Sequence, residues 1–189
     1  MKEKRLLLIV DPQIDFITGT LPVPGAPEAM TELAEYVKSN PEAYSHIVAT
    51  SDWHPYSHCS FSSEGGPWPR HCVQHTTGAA IPDSLIEACN TTEAAFTVLY
   101  KGDRISKDEY SIMQNGCSSS RLDEIIRKEA ISHIDVCGLA GDVCVLNTLK
   151  DLVKTYGKEF LTILFPYSPS LDGGATLLDY LKTNDIAKL

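Results

Sequence analysis

The chain has 189 residues, 43% hydrophobic and 22% charged, a composition suited to a globular domain with a core of its own. A net charge of −9 argues against the basic face of a nucleic-acid binder and otherwise speaks mainly to solubility. The apolar run near the start, Leu6 to Val10, is five residues long and stops at Asp11-Pro12, too short for a secretory leader or a membrane span, so the expected location is the cytoplasm. Cys59, Cys72, Cys89, Cys117, Cys137 and Cys144 form no CxxC pair and are expected to be free thiols.

In chain order, Leu6 to Val10 reads as a buried strand. Pro27 to Lys38 reads as a helix with Met30, Leu33, Ala34 and Val37 on one face. His46 to Thr50 and Ala94 to Tyr100 are the next strands. Between them, Asp52 to Asp83 is a long loop holding both tryptophans and four of the six histidines, which favours order. Ser118-Ser119-Ser120 is expected to cap a helix around Leu122, Ile125 and Ile126. Ile134 to Leu139 is a fourth strand, Asp142 to Tyr156 a helix, Phe160 to Phe165 a fifth strand, and Ala175 to Leu181 a last helix. Ile186 to Leu189 adds a short edge strand. Alternating apolar strands and helices predict a single α/β domain over 1–189. Its expected form is three-layer α/β/α, Rossmann-like, with a mostly parallel sheet of five to six strands.

In such sheets ligands bind beyond the carboxyl ends of the strands. Asp11 follows the first strand, Asp52 and His54 the second, Lys101 the third, and Cys144 comes shortly after the fourth. A thiol at a helix start gains from backbone N–H groups and the helix dipole, both of which lower its pKa. Asp11 is the candidate base, its pKa raised by burial and restrained by Lys101. The N–H groups of Ala140 and Cys144 are candidates for an oxyanion hole. Taken singly, each residue has a plainer reading: Asp-Pro as a turn, Lys101-Gly102-Asp103 as a solvated turn, Cys144 as a small buried hydrophobe. Their meeting at one sheet edge favours catalysis.

Asp52-Trp53-His54 places two ligand types at i and i+2 after a strand, and His71 in Trp68-Pro69-Arg70-His71 supplies a third. Two imidazoles and a carboxylate suit one divalent ion, zinc first and iron or manganese next, with positions left open. His58 and Glu64 lie in the same loop as candidate further ligands.

The segments Ile9-Val10-Asp11-Pro12-Gln13-Ile14-Asp15-Phe16, Ser51-Asp52-Trp53-His54-Pro55, Trp68-Pro69-Arg70-His71-Cys72-Val73, Tyr100-Lys101-Gly102 and Gly138-Leu139-Ala140-Gly141-Asp142-Val143-Cys144-Val145, in that order, resemble nicotinamidases of the isochorismatase-like cysteine hydrolases. The resemblance implies a metal-dependent amidohydrolase that converts nicotinamide to nicotinate and ammonia through a thioester, in pyridine nucleotide salvage. It implies Asp11, Lys101 and Cys144 as the catalytic triad and Asp52, His54 and His71 as metal ligands. Phe16 and Trp68 would stack on the pyridine ring, Tyr110 would help line the pocket, and Leu139-Ala140 would be a cis peptide. Two departures stand out: Gly141 replaces a common threonine, which is expected to loosen the turn, and Pro166 to Ser170 lacks an Asp-Ala segment seen in relatives. Leu149 to Leu152 also lacks the usual small residues, leaving subunit contacts and a homo-oligomer open. The alternatives are a relative acting on another amide or carbamoyl compound, or a non-catalytic metal or small-ligand binding protein.

Overall fold

The computed structural model describes residues 3–189. Six parallel strands form one sheet in the order β3-β2-β1-β4-β5-β6. They are β1 Arg5–Val10, β2 His46–Asp52, β3 Ala95–Lys101, β4 His133–Gly138, β5 Leu161–Ile163 and β6 Ala187–Lys188. The chain starts in the middle of the sheet, winds outward to β3, then returns to the other side of β1 to lay down β4. The switch in winding direction therefore falls between β1 and β4, where crossover segments leave in opposite directions and open a crevice. The last residues in register there are Val10 and Gly138, so both strands end at the same level beneath that crevice.

Successive strand residues point to opposite faces, and both faces are buried. On β1, Leu7 and Ile9 pack with α2 (Ala26–Ser39) and α3 (Asp83–Asn90) through Leu33, Val37 and Ala88. Leu6, Leu8 and Val10 pack with α4 (Gly116–Lys128), α5 (Leu146–Tyr156) and α6 (Ala175–Asn184) through Leu122, Leu149 and Leu177. Each fully buried leucine contributes about 2 kcal/mol of transfer free energy. The two cores together clamp the sheet on which the site is built. No helix among the described residues is long and apolar enough to cross a membrane.

Several boundaries differ from the sequence expectation. The cap of α4 is Asn115, whose side chain accepts the Ser118 N–H at 3.2 Å, so the three serines lie inside the first turns. Strand β5 covers only Leu161–Ile163, because Phe160 closes one 3₁₀ turn and Phe165 opens another with Pro166, which has no N–H to extend a ladder. Helix α3 and the one-turn α1 (Ile14–Ile17) have no counterpart in the expected elements. The long loop after β2 is ordered by isolated bridges pairing His54 with Val73 and Phe61 with Trp68, with Phe61 fully buried beneath it.

Candidate active site

Asp11 leaves β1 with φ of 46°, in the left-handed region, which turns the chain sharply at the strand end. Thr50 on the adjacent β2 fixes it, donating from Oγ1 to Asp11 Oδ1 at 2.6 Å and accepting the Asp11 N–H at 3.1 Å. Lys101, the last residue of β3, is fully buried. Its ammonium stands 2.8 Å from Asp11 Oδ2 and 2.5 Å from Asp52 Oδ1. It also donates to the Glu109 carbonyl at 3.2 Å and lies 3.6 Å from Cys144 Sγ. The Asp11 contact is a fully buried ion pair, and a carboxylate oxygen so engaged has a second lone pair to offer. An Asp11 oxygen, an Asp52 oxygen and Cys144 Sγ all lie within 4.8 Å of one another.

Cys144 is delivered by an unusual turn. Gly138 has φ of 119° and passes so close to β1 that a Cβ there would sit 2.1 Å from the Val10 carbonyl. The Leu139-Ala140 peptide is cis, as the family resemblance implies. The next five residues, Gly141–Val145, form a π turn, and α5 begins only at Leu146, so the expected helix from Asp142 starts four residues later than its sequence pattern indicates. The Ala140 carbonyl accepts from both Val143 and Val145, while the Ala140 N–H donates to no protein acceptor among the described residues. The turn at Gly141 is not loose. Its N–H donates to the Pro169 carbonyl at 2.8 Å, and a Cβ would lie 2.3 Å from Ser170 Oγ and 2.4 Å from the Ser168 carbonyl. Asp142 accepts the N–H groups of Leu171 and Asp172 at 3.0 and 3.1 Å, which ties the segment after β5 to the same turn.

Burial pushes the Cys144 thiol well above its ordinary value, the nearby Lys101 countering only in part and the Asp11 and Asp52 charges adding to the rise. The expectation of a thiol acidified by a helix dipole is therefore corrected: the thiol sits inside the turn, enclosed with two carboxylates, and needs a base. Burial raises Asp11 as well, against the opposing pull of Lys101. Burial would lower Lys101, but Asp11 and Asp52 outweigh it and hold the ammonium charged.

The second cluster shares Asp52. His54 Nδ1 donates to the Gly102 carbonyl at 3.0 Å, and His71 Nδ1 donates to the Pro69 carbonyl at 2.7 Å. Nδ1 is thereby the fixed donor of each ring, and Nε2 is the nitrogen left to ligate. Those two nitrogens face Asp52 Oδ2 at 3.5 and 3.9 Å, too far for good hydrogen bonds and suitable for three ligands around a common cation. Burial would raise Asp52, yet the Lys101 ammonium outweighs it and keeps the carboxylate ionised, and burial would lower His54, yet Asp52 outweighs it and raises the imidazole. Burial lowers His71 and so favours the neutral, ligating imidazole. The donor set fits a divalent ion. His58 is not free to join it: Nδ1 meets Ser60 Oγ at 2.7 Å, Nε2 donates to the Lys107 carbonyl at 3.0 Å, and the ring stacks on His54. Glu64 is exposed, with its carboxylate against Ser63.

Above both clusters is a cavity, partly open to solvent, whose walls include Phe16, Trp68, Tyr110 and Leu171, with Cys144 and the Asp52, His54 and His71 set also lining it. Trp68 Nε1–H donates to Tyr110 Oη at 3.0 Å, fixing the indole plane. Two residues that the sequence reading left without a role hold the parts together. Gln13 accepts the Asp52 N–H at 2.8 Å and donates to the Asp52 and Ala79 carbonyls at 2.8 and 2.9 Å. Asp15 accepts the Cys72 N–H at 2.7 Å, pinning the His71 segment to the helix that carries Phe16. No local sequence pattern marks them, because the backbone groups they hold lie in other segments.

A doubly wound parallel α/β sheet with acid, lysine, thiol and imidazoles collected at its switch point defines the class. The Isochorismatase domain model matches residues 5–157, and the chain belongs to that family. It is 35% identical to the nicotinamidase/pyrazinamidase of Mycobacterium tuberculosis, over 96% of each chain. It is 33% identical to the nicotinamidase of Escherichia coli, over 79% of this chain and 76% of that one. Among solved structures, the pyrazinamidase of Pyrococcus horikoshii in complex with zinc superposes with a TM-score of 0.81 at 30% identity, covering 98% of both chains. The L. infantum PnC1 in complex with nicotinate superposes with a TM-score of 0.84 at 29% identity, covering 100% of this chain and 93% of that one.

Proposed function

We propose that the protein is a nicotinamidase: a cysteine amidohydrolase that releases ammonia from nicotinamide and leaves nicotinate for pyridine nucleotide synthesis. The observation that supports this most directly is one cavity, beneath aromatic walls, that is lined by both Cys144 and the Asp52, His54 and His71 set, with Asp11 and Lys101 buried behind the thiol. Phe16 and Trp68 sandwich the flat ring, and the carboxamide carbon comes to Cys144. A divalent ion held by Asp52, His54 and His71 would supply a Lewis-acidic anchor for the electron pair of the ring nitrogen, directly or through its water.

Asp11 takes the thiol proton on the second lone pair of Oδ2, and Sγ forms a bond to the carboxamide carbon. The carbonyl electrons move to oxygen, where the N–H groups of Ala140 and Cys144 receive them. Collapse of this adduct breaks the C–N bond. Asp11 returns its proton to the leaving nitrogen, and ammonia departs from a thioester. Asp11 then takes a proton from water as its oxygen adds to the thioester carbon. Nicotinate leaves as Sγ is reprotonated. Lys101 holds Asp11 in place and stabilises its anionic form, so that a thiol raised by burial still finds an acceptor.

The test is ammonia release from nicotinamide by zinc-loaded protein, with Cys144→Ala as control. Release that disappears in Cys144→Ala while nicotinamide binding persists is the expected result. Ammonia release at a wild-type rate by Cys144→Ala overturns the nucleophile. Activity confined to carbamoyl compounds or other amides across a substrate panel assigns the site to the alternative substrate class.

A further inference from the structure

Glu109 is a buried carboxylate, 2% exposed, from a stretch of ordinary charged residues between β3 and α4. Its Oε2 accepts the Gly102 N–H at 2.9 Å and an Asn115 Nδ2–H at 3.0 Å, and its Oε1 accepts from Lys107 at 2.7 Å. The carbonyl of the same residue, in the next peptide group, accepts the Nδ1–H of His54 at 3.0 Å. A carboxylate, the N–H and carbonyl of one residue, and an imidazole are thus linked in a chain that ends on a proposed metal ligand. Gly102 cannot slide out of this chain. Its φ is 66°, and a Cβ at this position would lie 2.5 Å from His54 Cε1, which shows how closely the turn is packed on the ring. The main-chain carbonyl of the same Glu109 accepts from Lys101 Nζ at 3.2 Å.

We propose that Glu109 is a positioning residue that sets His54 for the metal, by fixing the backbone turn at Gly102, and fixes Lys101 through its own carbonyl. The inference rests on the reading of Asp52, His54 and His71 as a metal site. The carboxylate anchors the Gly102 N–H and so fixes the turn that presents the Gly102 carbonyl to Nδ1–H. That holds the His54 ring with Nε2 turned to the metal position, an orienting part usually played by a group in direct contact with a ligating histidine. Lys107 and Asn115 hold the carboxylate itself.

The experiment measures the dissociation constant for zinc by competition with a chromophoric chelator, at a temperature where each variant is folded by circular dichroism. Glu109→Ala is expected to weaken zinc binding by about 10- to 100-fold. Glu109→Gln keeps an oxygen for Gly102 and Asn115 and is expected to stay within about threefold of wild type, since the exposed Lys107 can turn away. Glu109→Asp, one methylene shorter, cannot reach Gly102 without shifting the turn and is expected to lose about tenfold. It serves as the test if the alanine variant does not fold. A folded alanine or aspartate variant that binds zinc within twofold of wild type overturns the proposal, whatever its melting temperature. Equal losses in Glu109→Gln and Glu109→Ala overturn it as well. His71→Ala is the separate control. If it retains zinc, the metal-site reading has failed, and Glu109 is not what has been tested.

Discussion

Replacing Lys101 with methionine tests the charge balance at the centre of the site. Methionine keeps an unbranched stem and removes an ammonium that stands 2.8 Å from Asp11 and 2.5 Å from Asp52. At an effective dielectric constant of about 20, each of these attractions is about 6 kcal/mol. The full amount is not lost, because a stranded carboxylate can take up a proton. Asp52 retains the imidazole of His54, which it raises towards the charged form, whereas Lys101 is the cation that holds Asp11 down. In the variant, Asp11 in the folded state moves further up, because the charge that opposed its burial is gone. Protonating a carboxyl from an ordinary value near 4 costs about 1.4 kcal/mol for each pH unit above that value, so the penalty at pH 7 is at most about 4 kcal/mol. The sign follows from the direction of the shift. An acid raised in the folded state leaves stability intact below its unfolded value and removes it as pH rises. The penalty therefore cannot exceed about 1.5 kcal/mol at pH 5 and about 4 kcal/mol at pH 7, and is larger at pH 7. It falls short of both limits, since burial already raises Asp11 in the intact protein. Urea unfolding of metal-free Lys101→Met and wild type at the two pH values measures the difference. A penalty that is the same at both, or absent at pH 7, refutes the reasoning.

Three other perturbations probe other parts of the site. Iodoacetamide should modify Cys144 of zinc-free protein more slowly at pH 7.5 than the exposed Cys117, and its rate should keep climbing above pH 9.0, since burial raises the thiol; peptide mapping by mass spectrometry reads both sites, and a rate that levels off below pH 8 contradicts the enclosed thiol. Gly102→Ala should cost about 1 kcal/mol for its positive φ, and more for overpacking against His54. Zinc affinity should fall with it, and unchanged affinity would mean that the turn yields instead. Tyr110→Phe removes the acceptor for Trp68 Nε1–H. A lost hydrogen bond of about 1 kcal/mol predicts KM for nicotinamide about fivefold higher with kcat nearly unchanged, read from steady-state ammonia release.

The layered fold was legible because its strands are apolar throughout. Leu6 to Val10 is buried at every position, and the helical stripe of Met30, Leu33, Ala34 and Val37 marks α2 without ambiguity. The chemical residues were legible because they fall at strand ends, where side chains leave the ladder and meet. What stayed hidden depends on contacts between distant segments. Helix α3 has eight residues and only Leu85, Ala88 and Cys89 buried, too short for a clear period. The start of α5 was misplaced because a π turn and an α turn share the same apolar spacing over five residues. His58 looked like a ligand from its place in the loop, and only Ser60 and the Lys107 carbonyl, the latter brought in from a separate segment, show that both ring nitrogens are taken. Gln13, Asp15 and Glu109 act through backbone groups of other segments, and no local pattern announces such partners.

The close approach at Gly141 has a consequence for how this protein can change. A side chain at 141 and the hydroxyl of Ser170 claim the same space, and the Ser168 carbonyl claims much of the rest. Substitutions at the two positions cannot contribute independently, and their effects should depart from additivity by more than the few tenths of a kcal/mol seen between distant sites. A turn bearing threonine at 141 requires a different course for the chain after β5, and with it a different placement of Leu171 at the cavity wall. Changes at 141 and in the segment after β5 are therefore coupled, and together they move a wall of the cavity that Cys144 also lines.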